Sequence, residues 1–306
     1  MKFSFKSRIM LFLLMLVILA SFRHRRDKQF NFHEFWGHYN QAYFELKCNQ
    51  NYKQALTHFK WLEENATNQY PDQYDYLNEA ICYVKLGDTT KATACLRNAI
   101  LHGFLKIDED NGWARNQIGE RSFNEVRKDL PKLKNEYYSR KASSLPYILD
   151  EKKHSAIDQF VRSKAVTNIL TEEDKTELIR VADSINISEF ITSLKKGESP
   201  PTSSLIYHLY DSNEQYVPFI DSCLRIELFD GRVSPETYGF WVDRQLVFVD
   251  KQPQKYGTYI TYAPSRVEGI ANLDSVDYFR QQIGLPPLWQ SAQAKSFALP
   301  PGYQKK

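Results

Sequence analysis

Apolar side chains recur at spacings of three and four residues in the stretch that follows residue 30. The first group is Phe35, Tyr39, Ala42, Tyr43 and Leu46, and the second is Tyr52, Ala55, Phe59 and Leu62. This period puts the apolar side chains of each group on one face of a helix. The pattern therefore predicts two consecutive helices that pack against each other.

A second helix pair is indicated by the next group of apolar positions. One helix carries Tyr76, Ala80 and Tyr83, a turn follows at Gly87 and Asp88, and the other helix carries Ala92, Leu96 and Ala99. Small residues let two helices approach closely, and Gly87 permits the turn. This arrangement resembles the tetratricopeptide repeat. Ala55 and Ala92 are corresponding positions 37 residues apart, close to the period of about 34 of such repeats.

The repeat-like region is predicted to span residues 30–140 and to contain two repeats followed by a cap. Ile100–Phe104, Phe123 and Val126 supply apolar positions for this closing segment, because two repeats bury too little surface alone. The resemblance implies a concave surface that binds a peptide or a protein partner. The alternative is that the repeats act only as a spacer.

The first 26 residues have the pattern of a signal peptide or a membrane anchor. Lys2, Lys6 and Arg8 precede the apolar run Ile9–Phe22, and the basic segment Arg23–Arg26 follows it. Fourteen helical residues cover only about 21 Å, less than the hydrocarbon core of a bilayer. That length suits a signal peptide, but the residues before Ser21 match a cleavage site poorly. We favour an uncleaved anchor, and the orientation stays open.

Composition and charge exclude several classes of function. The formal net charge is only +3, and part of it lies in the first 26 residues, so nucleic acid is not an expected partner. Cys48, Cys82, Cys95 and Cys223 show no metal-ligand spacing, and we predict no metal and no cofactor. Cys82 and Cys95 are expected to be buried thiols, with a disulfide as the alternative.

A second domain is predicted at residues 146–292, after the break at Ser143–Pro146, with a tail at residues 293–306. Asp150–Ala165 has helical spacing, and Thr171–Asp174 resembles a capping box that opens another helix. Ser203–Tyr210 and Tyr216–Leu228 also have helical spacing.

A β-hairpin is predicted near the end of this domain. Tyr238–Asp250 and Lys255–Tyr262 are rich in aromatic and β-branched residues, and Asp250–Pro253 has the composition of a turn. The expected fold class is therefore α+β, with an N-terminal helical-repeat region followed by a mixed α/β domain that contains the hairpin.

Residues 150–290 resemble an uncharacterised bacterial domain family. The matching segments are Asp158-Gln159-x-x-Arg162, His208, Asp243-Arg244, Gln254–Thr258, Leu273-Asp274 and Gly284–Leu288. The chain departs from the family pattern at Gly197–Pro200 and Tyr207–Tyr210.

These motifs define a candidate polar pocket for an anionic or polar ligand. Its members are Asp158, Gln159, Arg162, His208, Asp243, Arg244, Gln254, Tyr256, Gly257 and Thr258. Arginine binds anions with two hydrogen bonds, and histidine titrates near neutral pH. The alternative is structural, since Asp158 and Arg162 are four residues apart and make an ordinary helical ion pair. No nucleophile with an activating base is recognisable.

The sequence thus predicts a membrane-anchored or exported, periplasmic interaction scaffold that is not an enzyme. A protein partner would bind the repeats, and the membrane would hold the N-terminal segment. The alternative is a small-ligand-binding protein or an enzyme that uses the polar pocket.

Overall fold

The structure is a computed structural model in which Phe32–Lys306 forms one compact unit. It describes residues 30–65, 72–105, 107, 113–142, 153–154, 156–164, 168–195, 217–262, 265–267 and 269–305. The predicted N-terminal signal or anchor lies outside the described residues.

Helices dominate the part of the chain that is described. They are α1 Phe32–Phe44, α2 Tyr52–Glu64, α3 Gln73–Lys85, α4 Thr89–Leu101, α5 Trp113–Ile118, α6 Glu120–Arg140, α7 Glu172–Lys195, α8 Val217–Phe229, α9 Pro235–Arg244, α10 Val276–Gln282 and α11 Leu288–Lys295. The π-helical segments Glu45–Asn49 and Gln245–Val249 extend α1 and α9. A short helix also covers residues 156–161.

The two predicted helix pairs are confirmed as packed pairs, α1 with α2 and α3 with α4. Ala55, Ala80, Ala92 and Ala99 are fully buried, because their small side chains let the helix backbones approach. Gly87 turns the chain between α3 and α4 with a φ of +81°, a conformation that costs glycine little. The Asp88 side chain then caps α4 by accepting a hydrogen bond from the Lys91 amide.

The α+β prediction is wrong, because the chain is mainly α-helical. Tyr238–Asp250, predicted as the first strand of a hairpin, is helical across α9 and the π-helical segment. Ser234 caps the first turn of α9, and Pro235 occupies its first position, which is where proline suits a helix. Tyr238 and Trp241, three residues apart, are both buried. The cap and the burial of one helical face override the β-propensity of the aromatic residues.

The antiparallel ladder in the described residues is short and does not include the predicted strand Tyr238–Asp250. Strand β1, Ile260–Tyr262, pairs with β2, Ser265–Val267. Val267 of β2 belongs to a small core that also contains Val276, Leu288, Ala292 and Phe297. The predicted second strand, Lys255–Tyr262, therefore contributes only its last three residues to β-structure.

The C-terminal part of the chain packs directly on α1. The Asn40 side-chain amide donates to the Gly284 carbonyl oxygen at 2.8 Å, and the Phe44 and Trp289 rings meet edge to face. Phe297, in the predicted tail, is buried. The predicted regions 30–140 and 146–292 therefore share an interface, while their boundaries stay predictions.

Candidate functional site

Three of the predicted pocket residues form a network around the short helix at residues 156–161. Arg162 Nε donates to Asp158 Oδ1 at 3.1 Å, as the four-residue spacing predicts, and Gln159 Nε2 donates to Asp158 Oδ2 at 3.1 Å. Arg162 Nη2 also reaches Asp183 Oδ1 of α7 at 2.5 Å. Asp158 and Asp183 are buried, so Arg162 joins the short helix to α7.

Asp243 organises a second network at the end of α9. Its carboxylate accepts hydrogen bonds from the amides of Lys255, Tyr256 and Thr258 and from the Thr258 hydroxyl, all between 2.7 and 2.9 Å. Asp243 is fully buried, and this burial raises its pKa while the four hydrogen bonds oppose the shift. The carboxylate thus anchors the loop at residues 255–258 to α9.

Gln254 and Gly257 shape the same loop, whereas Arg244 lies against an aromatic ring of the π-helical segment. Gln254 donates to the Tyr259 carbonyl and accepts from the Tyr259 amide, both at 2.9 Å. Gly257 has a φ of +65°, and a Cβ there would lie 2.8 Å from Ile270. The Arg244 guanidinium lies 4.7 Å from the centre of the Phe248 ring.

The structure therefore brings the predicted residues together in two groups. Asp158, Gln159 and Arg162 form the first, and the residues around Asp243 form the second. His208 lies outside the described residues. A ligand pocket made by both groups with His208 stays a prediction.

A cleft of about 300 Å³ lies between α1 and the C-terminal part of the chain. Its aromatic wall consists of Trp36, Tyr39, Tyr43 and Phe44 from α1, with Phe297 from beyond α11. Concave sites with apolar walls and a few polar groups are the usual sites at which proteins bind small molecules and cofactors, and this volume is at the small end of their range.

Arg280 is a charged residue of the cleft lining, and it is buried. Its guanidinium donates to the Pro286 and Tyr256 carbonyl oxygens, both at 2.7 Å, and to Ser291 Oγ at 2.5 Å. All three acceptors are neutral. Burial lowers the pKa of Arg280 to about 10, although Asp277 and Asp243 oppose this shift from a distance. A group with this pKa carries its charge at neutral pH.

Two further cations and one carboxylate line the cleft. Lys47 follows α1 and is exposed, and Lys295, at the end of α11, forms an ion pair with Glu236 at the start of α9. With Arg280, the lining has three positive groups and one negative group. The cleft therefore has a positive net charge.

The α1 wall of the cleft connects to a buried carboxyl group behind it. Tyr43 donates from its hydroxyl to Asp75 Oδ1 at 3.2 Å. Burial, together with the nearby Asp72, raises the pKa of Asp75 to about 8. Burial also raises the pKa of Tyr43, and of Tyr39 beside it. The fold therefore favours the protonated form of Asp75.

Further titratable groups lie inside the helix pairs. Burial raises the pKa of Glu79 to about 8, with Glu63 and Asp75 adding to the shift. Cys82 and Cys95 are free thiols, and burial raises the pKa of Cys82 to about 12. Such a thiol is protonated and unreactive at neutral pH.

His38 and His58 meet between α1 and α2, a contact that no sequence pattern indicates. Their Nδ1 atoms lie 2.9 Å apart, and the His38 ring stacks on Trp61 with 3.9 Å between ring centres. Burial lowers the pKa of both histidines. Within the described residues, no group of three or more histidine, cysteine or acidic side chains is arranged to hold a metal ion.

Sequence reasoning missed the cleft and its Arg280. One signal was available, because Val276, Arg280 and Ile283 follow the apolar spacing of a helix and all three are buried. An arginine on the apolar face of a short helix is unusual unless its charge has a role. The partners of Arg280 are distant in sequence and were not recognisable.

Comparison of the chain with protein-family models, characterised proteins and solved structures finds no match. Within the described part of the chain, no helix is both long and apolar enough to span a bilayer.

Proposed function

We propose that this protein is a non-enzymatic interaction scaffold whose cleft between α1 and the C-terminal segment binds a segment of a partner protein. The observation that carries the proposal is the cleft itself, which combines an aromatic wall with a few convergent charged groups. Aromatic and arginine side chains are enriched where proteins bind each other.

The packed helix pairs support a scaffold role. We interpret α1 with α2 and α3 with α4 as tetratricopeptide-like repeats, and α1, the first helix of the first pair, lines the cleft. Repeats of this kind present extended binding surfaces. The N-terminal segment, as a signal peptide or an anchor, would place the scaffold at the membrane or in the periplasm.

The hydrogen bonds of the predicted polar pocket argue against catalysis by its residues. Asp243 uses its carboxylate to hold backbone amides, and Arg162 pairs with two buried aspartates. These groups stabilise the fold, and a group that is saturated by internal partners is poorly placed to act on a substrate. The alternative of a small-ligand-binding protein is retained as an outcome of the test.

The test blocks the cleft without disturbing the fold. Ala294 is exposed on α11 and lines the cleft, whereas its exposed neighbour Gln293 is not among the lining residues. Ala294→Trp should therefore fill the cleft, and Gln293→Trp is the matched control.

Partners are first identified by placing a photo-crosslinking amino acid at Gln290, which lines the cleft, in the full-length, membrane-extracted protein. Binding of the purified partner is then measured by calorimetry. We expect Ala294→Trp to weaken binding at least about tenfold, which equals 1.4 kcal/mol, and Gln293→Trp to leave it unchanged. Equal binding by both variants would contradict the proposal. A small molecule carried by the wild type and lost from Ala294→Trp in native mass spectrometry would favour the alternative.

A further inference from the structure

We propose that the cleft recognises a carboxylate on the partner, so that its occupant is an acidic peptide segment with an apolar or aromatic neighbour. This inference rests on the proposed function and specifies the chemistry of the bound segment. It is carried by the positive charge of the cleft lining and by the aromatic wall beside it.

Arg280 supplies part of this positive charge. A guanidinium has five N–H groups, and the three described hydrogen bonds of Arg280 go to neutral oxygens. Its charge is buried, and no carboxylate of the described residues pairs with it directly. Asp277 and Asp243 stabilise this buried charge only from a distance, and a carboxylate that entered the cleft beside Arg280 would add a closer, favourable interaction.

Trp36 supplies a second donor in the same lining. Trp36 is only 8% exposed, and its indole Nε1 has no hydrogen-bond partner among the described residues. An unsatisfied buried donor costs about 1–3 kcal/mol. Since an indole N–H only donates, the complementary group on a ligand is an acceptor. The Trp36 Nε1 atom is itself buried, so an acceptor reaches it only after an adjustment of the cleft lining, whereas Arg280 favours a charged acceptor through its positive charge.

The rim of the cleft adds to the positive potential. Lys47 is exposed and makes no described ion pair, while the charge of Lys295 is offset by Glu236. The charge that remains on the lining is positive and belongs to Lys47 and Arg280. An acidic group is the complementary occupant, because opposite charges attract and like charges would be excluded.

The aromatic wall decides between a peptide and a small inorganic anion. Trp36, Tyr39, Tyr43 and Phe44 present large rings to the cleft, and such rings contribute most when they cover apolar surface. Phosphate or sulfate has no apolar part to cover. A carboxylate beside an apolar side chain uses both the donors and the rings.

The experiment selects ligands from a random twelve-residue peptide library, using full-length protein in lipid nanodiscs, and discards peptides that also bind Ala294→Trp. We expect the retained peptides to be enriched in Asp or Glu next to an aromatic or large aliphatic residue. The strongest peptide is then compared with its Glu→Gln or Asp→Asn version. The neutral version should bind about tenfold more weakly, as expected for the loss of a charge-assisted hydrogen bond.

Two protein variants locate the charge without altering buried residues. Lys47→Gln should weaken binding of the acidic peptide about threefold and reduce its dependence on salt concentration. Lys53→Gln, at an exposed lysine of α2 outside the cleft lining, should change neither. The Trp36 indole N–H resonance should shift when the acidic peptide binds, which reports on the cleft directly.

The possible failures are distinguishable. If the retained peptides show no acidic preference, or if the neutral version binds equally well, the carboxylate inference is wrong while the scaffold proposal stands. If every peptide that binds the wild type also binds Ala294→Trp, the cleft is not the binding site and the proposed function fails with it.

Discussion

The side-chain amide of Asn40 donates to the backbone carbonyl of Gly284 at 2.8 Å, across a separation of 244 residues in the chain. Beside this bond, Gly284 lies against α1 with a φ of +77°, and a Cβ there would be 3.0 Å from Phe32 and 3.1 Å from Trp36. The contact fixes one side of the cleft, since both Trp36 and the adjacent Leu285 line it.

Gly284→Ala is therefore expected to destabilise the protein and loosen the cleft. The variant combines a left-handed backbone, which costs a non-glycine residue about 1–2 kcal/mol, with steric conflict against α1. Gly87→Ala is the matched control, because Gly87 has a φ of +81° and open space around its Cβ position, and it ends α3 with the same backbone hydrogen bonds that Gly284 makes after α10. Urea denaturation should show a larger loss for Gly284→Ala. Equal losses of unfolding free energy in the two variants would mean that α1 accommodates the added Cβ without an energetic cost.

Asp243→Ala is expected to destabilise the C-terminal part of the chain by about 3 kcal/mol or more, because four hydrogen-bond donors lose their acceptor. Thr258→Val removes only the hydroxyl and should cost about 1 kcal/mol. Asp250→Ala, at an exposed aspartate in the same segment, should have little effect. Hydrogen exchange of the Lys255 and Tyr256 amides would identify the local cause, and unchanged protection in Asp243→Ala would contradict it.

Glu79 should make stability fall as pH rises. Its pKa is about 8 in the folded protein and about 4.3 in an unfolded chain, so between these values the folded state holds a proton that the unfolded state has lost. Unfolding free energy then decreases with pH across this window. Glu79→Gln should remove part of this decrease and raise stability at pH 8 relative to the wild type.

Denaturation at pH 5, 6.5 and 8 measures this effect for Glu79→Gln beside Glu64→Gln, whose side chain is exposed. The pH dependence of Glu64→Gln should match that of the wild type. A parallel pH dependence of Glu79→Gln and the wild type would show that Glu79 does not titrate in this window.

The His38–His58 pair has the opposite effect to Glu79 on the pH dependence of stability. Burial lowers the pKa of both rings in the folded protein, so an unfolded chain binds more protons just below its histidine pKa of about 6.5. Stability is therefore lost as pH falls through this region. His58→Gln should reduce this acid sensitivity, whereas His33→Gln, at an exposed position, should not. Thermal melts between pH 5 and 7.5 provide the measurement.

Local features of the fold were predictable from the sequence. The spacing of Ala55, Ala80, Ala92 and Ala99 predicted the helix pairs, and Gly87 with Asp88 predicted the turn between α3 and α4. Asp158 and Arg162 formed the ion pair that their spacing indicates. In each case the partners are close in sequence, so a short pattern contains the necessary information.

Features that depend on distant partners were not predictable. The β-propensity of Tyr238–Asp250 suggested a strand, but burial of Tyr238 and Trp241 stabilises a helix there. The contact between His38 and His58 depends on how α1 packs against α2, which the spacing of residues within each helix does not contain. The cleft required the packing of Gly284 on α1, which no local pattern reveals.

The dependence of the cleft on distant segments also affects how the protein is made. During synthesis, α1 leaves the ribosome long before Gly284 and Trp289, which later contact Asn40 and Phe44. Until those residues emerge, the aromatic side of α1 has no C-terminal segment to cover it, and exposed apolar surface promotes misassembly of nascent chains. Residues after Arg280 thus complete both the fold and the binding cleft. Premature termination before Trp289 would leave an aggregation-prone helical fragment with exposed apolar surface, which chaperones or proteases would bind.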